Sequence, residues 1–376
     1  MARTGRLSVV NGLRGLAIIG VLFHHLGSDW FGRHSGAAPG WILALITNGW
    51  TGVNLFFILS GFVLFLPYAE GRRHLAGWAD TATFYRHRFW RLMPLYYFVV
   101  LVLLAVGAAG LSRAAFANAA RQLLLLGFVV NRYGFMPPLN YPLWSIGVEI
   151  LFSLSFPLLV VLVARLGLAR VLGLALVAAL VARVAGRLWN PEPLGPNFIS
   201  DNIPGRIDEF VLGMATAGLY ARDRIPRWAP RLAWPGIGLI LVAWEGFYRC
   251  QYRGLPTVVM SPLNDVLDAG FCCVLLGALA REQAGRSALA VAPLQVIGMM
   301  CYSIYIWHGP VLSAVVPIAG AVPALLLVLV LAMFTYRYIE FGRERDWRTL
   351  FLWPAVVGRA PVTVGAPTTA RLSDAP

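Results

Sequence analysis

The feature that most constrains this chain is a succession of apolar stretches, each about the length a helix needs to cross a bilayer. A hydrocarbon core about 30 Å thick takes some 20 mainly apolar helical residues. Backbone polar groups in lipid must be satisfied internally, so only helices or closed barrels span it. Roughly ten such stretches are legible here, at 8–27, 49–68, 94–111, 143–165, 168–187, 204–221, 232–248, 262–281, 293–313 and 320–340. They are continuous rather than alternating, which favours helices. Only 13% of the residues are charged and the mean hydropathy is +0.69, whereas soluble domains carry roughly 25% charge. The expected fold class is therefore all-α: a polytopic membrane helix bundle of about ten transmembrane helices. The shorter run Leu123–Val130 reads as a re-entrant or interfacial segment.

The net charge is +14, and all 31 basic residues are arginine. They lie between apolar spans rather than in one basic domain. That pattern argues against a nucleic-acid partner and for contact with anionic lipid or phosphorylated ligands. With the N-terminus in the cytoplasm, Arg72, Arg73, Arg86, Arg88 and Arg91 fall inside, as do the clusters at 222–231 and 343–348. An even number of spans then puts both termini in the cytoplasm. The first stretch follows Arg3 and Arg6, as a signal peptide would, but it contains Arg14, His24 and His25 and reads as a retained span. Residues 79–93, ADTATFYRHRFWRLM, suit a basic aromatic helix at the cytoplasmic interface. One membrane domain over 1–345 is expected, followed by a disordered cytoplasmic tail over 346–376. The four cysteines show no paired spacing for zinc and read as small core residues, so no metal is expected.

Ionisable groups inside a span are costly and mark candidate sites. In the first span Arg14 and His25 are eleven residues apart, which places them on one helix face to within about 20° and separates them by about 16 Å along the axis. His24 points about 100° away. Histidine is the natural general base near neutral pH, and Asp29, four residues on, is placed to orient the His25 ring. The alternative for His25 is a helix–helix hydrogen bond. Glu149 lies within the fourth span and needs a cationic partner, for which Arg14 and Arg206 are candidates. Arg206, Asp208 and Glu209 open the sixth span, either as a salt-bridged helix start or as a polar patch. Ser60 lacks a nucleophile elbow and reads as small-residue packing beside Gly61. Tyr302, Tyr305, Trp307 and His308 form either an interfacial aromatic belt or part of a pocket.

Five blocks resemble the acyltransferase 3 family of bacterial membrane O-acyltransferases. GLRGLAIIGVLFHH is similar to that family's opening span, with its arginine, ten residues, then histidine, met here by Arg14 and His25. LFFILSGFVL (55–64), FYRHRFWRLMP (84–94), PLWSIGVEILFS (142–153) and CYSIYIWHGPV (301–311) resemble later family blocks, in family order. Ile150 stands where a second glutamate is common and Ser153 where a tyrosine is common. IEFGRE (339–344) lacks the proline often found after the glutamate.

The resemblance implies a transferase that moves an acyl group, acetyl by default, from cytoplasmic acyl-CoA to a hydroxyl of a cell-surface or exported glycan or lipid-linked saccharide, in the bacterial inner membrane. His25 and Glu149 are then the candidate catalytic groups. Arg14, Arg86, Arg88 and Arg91 are candidate acyl-CoA ligands, because arginine forks suit phosphate; Arg88 and Arg91, three apart, can share a helix face. Trp144, Arg206, Tyr305 and His308 are candidate lining of the acceptor pocket. Acyl-CoA is a co-substrate, with no permanently bound cofactor, and lipid is the remaining partner. Two other readings are acylation of a hydrophobic small molecule such as a macrolide and, in a different class, a multi-span transporter. No matching inverted halves are visible to favour the transporter.

Overall fold

The computed structural model describes residues 7–34, 40–107, 117, 120–125, 137, 140–222, 224–226, 228–285 and 287–340. Among them every regular element is helical: α1 Ser8–His34, α2 Gly40–Thr47, α3 Gly52–Ala69, α4 Trp78–Gly107, α5 Leu143–Leu166, α6 Leu168–Trp189, α7 Ile203–Ala221, α8 Ala233–Tyr252, α9 Met260–Gln283, α10 Ala292–Met299, α11 Cys301–Ala319 and α12 Ala321–Thr335. A π-helical turn, Tyr336–Glu340, continues α12. Eight of the described helices are long and apolar enough to cross a membrane, and the chain is an all-α polytopic bundle.

The predicted sixth and seventh spans are present as α7 and α8, of 19 and 20 residues. Their composition is too polar to mark them as membrane spans: Arg206, Asp208 and Glu209 lie in α7, and α8 is rich in Gly, Trp and Tyr. The basic segment 79–93 is not a separate interfacial helix. It is the first half of α4, one helix of 30 residues with Pro94 inside it. At 1.5 Å per residue that helix is about 45 Å long, so it exceeds the hydrocarbon core and carries its arginines past one edge. The predicted ninth span is broken at Met300 into α10 and α11. Gly298 of α10 abuts the Asn11 carbonyl of α1 so closely that any Cβ would collide with it.

A close helix crossing sets α3 against α7. A Cβ on Gly61 would strike the Phe210 carbonyl, and one on Gly213 would strike the Ile58 carbonyl. Two glycines thus let the backbones touch, the small-residue packing expected between helices in lipid. Phe210 stacks on Phe57 and Phe152 beside this crossing, with ring centres 4.7 and 3.8 Å apart. The crossing fixes the polar first turns of α7 against α3 and α9, below the cavity described next. The stretch 126–130, the side chain of Asp29 and residues 346–376 lie outside the described residues.

Candidate active site

A cavity of about 790 Å3 opens among α1, α5, α8, α11 and the 190–202 segment, within the range of small-molecule sites. His24 and His25 both line it, as do Trp144 and Tyr305. Although His24 is one residue from His25 and points about 100° away on an ideal helix, both rings line the cavity, with centres 4.8 Å apart. His25 also lies 5.0 Å from Tyr141 and 5.0 Å from His308, centre to centre. His308 is fully buried, and its Nδ1 lies 2.5 Å from the Tyr305 carbonyl. Tyr141, in the turn before α5, is a phenol pushed up to about 12 by burial and is neutral at physiological pH.

The blocks 142–153 and 301–311 come together as one unit of this wall. Ser145 and Tyr305 share a hydrogen bond of 2.7 Å, and the Asn140 amide donates to the Ile306 carbonyl at 2.8 Å. Gly309 seats against Pro142, where a Cβ would come within 2.7 Å of the proline ring.

Beneath the cavity lies a buried polar network. Arg206 donates to Glu209 at 2.7 Å and pairs with Asp201. Arg183 donates to both oxygens of Asp208, at 3.2 and 2.8 Å, and to Asp265 at 2.5 Å. Asn54 reaches from α3 to Glu209, Asn264 and Asp268. Arg187, Asp201 and Arg206 form the floor exposed to the cavity. Burial raises the Asp201 carboxyl, but Arg206, Arg187 and the Asn197 amide outweigh it, and its pKa falls below the ordinary carboxylate range. Asp208, Glu209 and Asp268 bring oxygens within 4.8 Å of one another, the donor type a hard cation takes. Arg183 donates to Asp208, Arg206 to Glu209, and Asn54 and Asn264 to Asp268, so each of the three carboxylates already has a protein donor.

At the other end of α1 is a second, arginine-rich group. Arg88 pairs with Glu149 and donates to Ser153 at 3.0 Å, and Ser60 also hydrogen-bonds Glu149. Arg91 pairs with Glu340, which accepts from Ser303 at 2.7 Å. Arg14 lies within electrostatic range of Arg91, Glu149 and Glu340. The sequence candidates thus separate into two sites. His25, Trp144, Arg206 and Tyr305 line the cavity, with His308 against His25; Arg14, Arg88, Arg91 and Glu149 gather at the far end. Arg86 is exposed. Neither Arg14 nor Arg206 is the ion-pair partner of Glu149; Arg88 is. A shared helix face did not make a shared cavity, because the offset along the axis puts Arg14 and His25 in different layers.

Sequence reasoning missed Arg183, Asp201, Asp268 and the two asparagines. Arg183 and Asp268 lie in apolar spans, where a charge is itself a signal. Asn54 and Asn264 give none, since asparagine is unremarkable until its neighbours are known.

Residues 8–356 match the family defined by an acyltransferase domain, Acyl_transf_3. Among curated proteins, the O-acetyltransferase OatA of Staphylococcus aureus is 22% identical over 388 residues, covering 94% of this chain and 60% of that protein. The peptidoglycan O-acetyltransferase OatA of Listeria monocytogenes is 25% identical over 382 residues, covering 90% and 57%. BcsY of Komagataeibacter xylinus, named for membrane-bound transacylase activity, is 27% identical over 357 residues, covering 88% and 81%. The chain therefore spans less than two thirds of the OatA proteins it matches. No solved structure matches it. With a family match over nearly all of its length, the chain belongs to the acyltransferase 3 family.

Proposed function

We propose that this protein transfers an acyl group, acetyl in the simplest case, from acyl-CoA bound at the arginine-rich end to a hydroxyl of a saccharide held in the cavity. The observation that carries this reading is the pair of sites along α1, at the levels of Arg14 and His25, about 16 Å apart along its axis. From pyrophosphate to sulfur the donor's arm has a dozen bonds and extends about 15 Å at some 1.2 Å per bond, the extended-chain value. A donor whose phosphates rest on Arg14, Arg88 and Arg91 therefore brings its thioester to the level of His25. Glu149 holds the Arg88 fork in place.

In the reaction His25 takes the proton of the acceptor hydroxyl as its oxygen attacks the thioester carbonyl carbon. The C–O bond forms, the tetrahedral oxyanion collapses, the C–S bond breaks, and the proton passes from His25 to the departing thiolate. The acceptor site suits a sugar: the flat faces of Trp144 and Tyr248 offer apolar contact, and Arg187, Asp201 and Arg206 offer hydrogen bonds. That polar floor favours a glycan over a wholly hydrophobic acceptor. The relatives named for O-acetylation, one of them of peptidoglycan, support the same class. The bacterial inner membrane, with the arginine end towards the cytoplasm, is the location this reading requires.

The test is His25→Ala in proteoliposomes supplied with radiolabelled acetyl-CoA and saccharide acceptors. Loss of transfer with retained folding is expected. Full transfer by the folded variant would remove His25 from the mechanism.

A further inference from the structure

Among the buried titratable side chains that the reading above leaves unused is His308. His308 is 0% exposed, and its Nδ1 lies 2.5 Å from the Tyr305 carbonyl. A carbonyl only accepts, so Nδ1 carries the hydrogen, and Nε2 of the neutral ring is then a lone-pair acceptor. That Nε2 is buried and has no hydrogen-bond partner, a state that costs free energy unless a donor is near.

Three groups are close enough to matter. The Tyr305 hydroxyl is already committed to Ser145 at 2.7 Å. His24 hydrogen-bonds the Thr47 backbone, where its N–H must be the donor, and its buried Nδ1 is likewise without a partner; it is a second acceptor, not a donor. His25 remains, with its ring centre 5.0 Å from that of His308 and the planes inclined by 37°. An imidazole nitrogen sits about 1.1 Å from its ring centre, so an in-line N–H···N bond of about 2.9 Å puts two ring centres about 5 Å apart. The rings stand at hydrogen-bonding separation, short only of alignment, and His25 is the less buried of the two.

We propose that His308 is a positioning residue: its Nε2 accepts an N–H of His25, fixing the His25 tautomer so that the other ring nitrogen faces the cavity as the base. This rests on the assignment of His25 as base. It supplies the third member of a nucleophile–base–orienter chain without a carboxylate. A neutral acceptor suits this place, since an ionised carboxylate buried there would need a cation of its own. When His25 takes the hydroxyl proton it carries two N–H groups, and the one held by His308 becomes a charge-assisted bond.

The test has two arms. In wild-type protein carrying 15N-histidine, reconstituted in lipid, the His308 signals are assigned by their loss in His308→Asn. The inference expects a protonated Nδ1, an unprotonated Nε2 and a perturbation of Nε2 on His25→Gln; a protonated Nε2 in the wild-type protein overturns it. Kinetically, His308→Asn lowers kcat at least about tenfold, a modest part of a general base's contribution, with both KM values unchanged. His308→Gln, whose amide oxygen reaches the ε position, recovers part of that loss. If both variants keep wild-type kcat while His25→Ala is inactive, His308 has no positioning role and the reading of His25 stands. If His25→Ala is itself fully active, the proposed base fails instead.

Discussion

The Arg88–Glu149 pair offers the most decisive single perturbation, because it separates a structural ion pair from a donor site. Their side chains are 16% and 12% exposed, and they join α4 to α5 within the apolar bundle. Arg88→Met leaves Glu149 with Ser60 and the more distant charge of Arg14, and Glu149→Met leaves a guanidinium facing Ser153. Removing one partner of a buried pair costs about 3–5 kcal/mol, whereas replacing both with apolar groups of similar volume is often close to neutral. Each single variant should therefore shift the folding equilibrium by about 10²- to 10⁴-fold. The double variant should lie within about 1–2 kcal/mol of wild type, a coupling of at least about 3 kcal/mol. The assay is SDS-induced unfolding in mixed lipid–detergent micelles, followed by tryptophan fluorescence, alongside acetyl transfer on the same preparations. A double variant as unstable as the sum of the singles would refute the pairing. One that is stable and fully active would refute the donor site, since the reading requires Arg88 on the phosphates.

Three other outcomes are expected. Gly61→Ala should destabilise the protein by about 1–3 kcal/mol, the usual cost of overpacking, because its Cβ meets the Phe210 carbonyl rather than a yielding side chain; thermal unfolding in detergent measures this. Asp201 has a depressed carboxyl pKa in the folded protein, so its contribution to stability is complete above the ordinary carboxylate range and is lost as pH falls through the folded value; the stability gap between wild type and Asp201→Asn should shrink below about pH 4. Trp144→Ala should raise KM for the saccharide several-fold and leave KM for acetyl-CoA unchanged, as steady-state kinetics with each substrate varied in turn will show.

Much of the bundle was legible because spans announce themselves by length and apolar composition, which lipid enforces. The register of Arg14 and His25 on one face also followed from helix geometry alone. What could not be read was how helices distant in sequence meet. The partner of Glu149 is Arg88, 61 residues away, and a list of charged residues cannot choose it over Arg14 or Arg206. The break at Met300 was hidden because α10 and α11 are both apolar, and only the close seat of Gly298 on α1 distinguishes them. The same limit hid Asn54, whose amide ties α3 to α7 and α9 at a close crossing in the fold.

The distribution of charge compensation bears on which groups can move a proton. Among the described residues, Glu149 and Glu340 are held by Arg88 and Arg91, Asp208 and Asp265 by Arg183, and Asp201 and Glu209 by Arg206, while Asp268 accepts from Asn54 and Asn264. A carboxylate fixed by an arginine fork is a poor base, because protonating it would strand the cation. The imidazoles of His24, His25 and His308 carry no such burden: no ion pair joins them to a described carboxylate, so a proton can come and go there without breaking a buried pair. Under the proposed mechanism the acid–base step therefore falls to the neutral cluster on the cavity wall rather than to these carboxylates. Of its three rings, two have their N–H directed to backbone carbonyls, and His25 is the one the proposed mechanism assigns to the substrate.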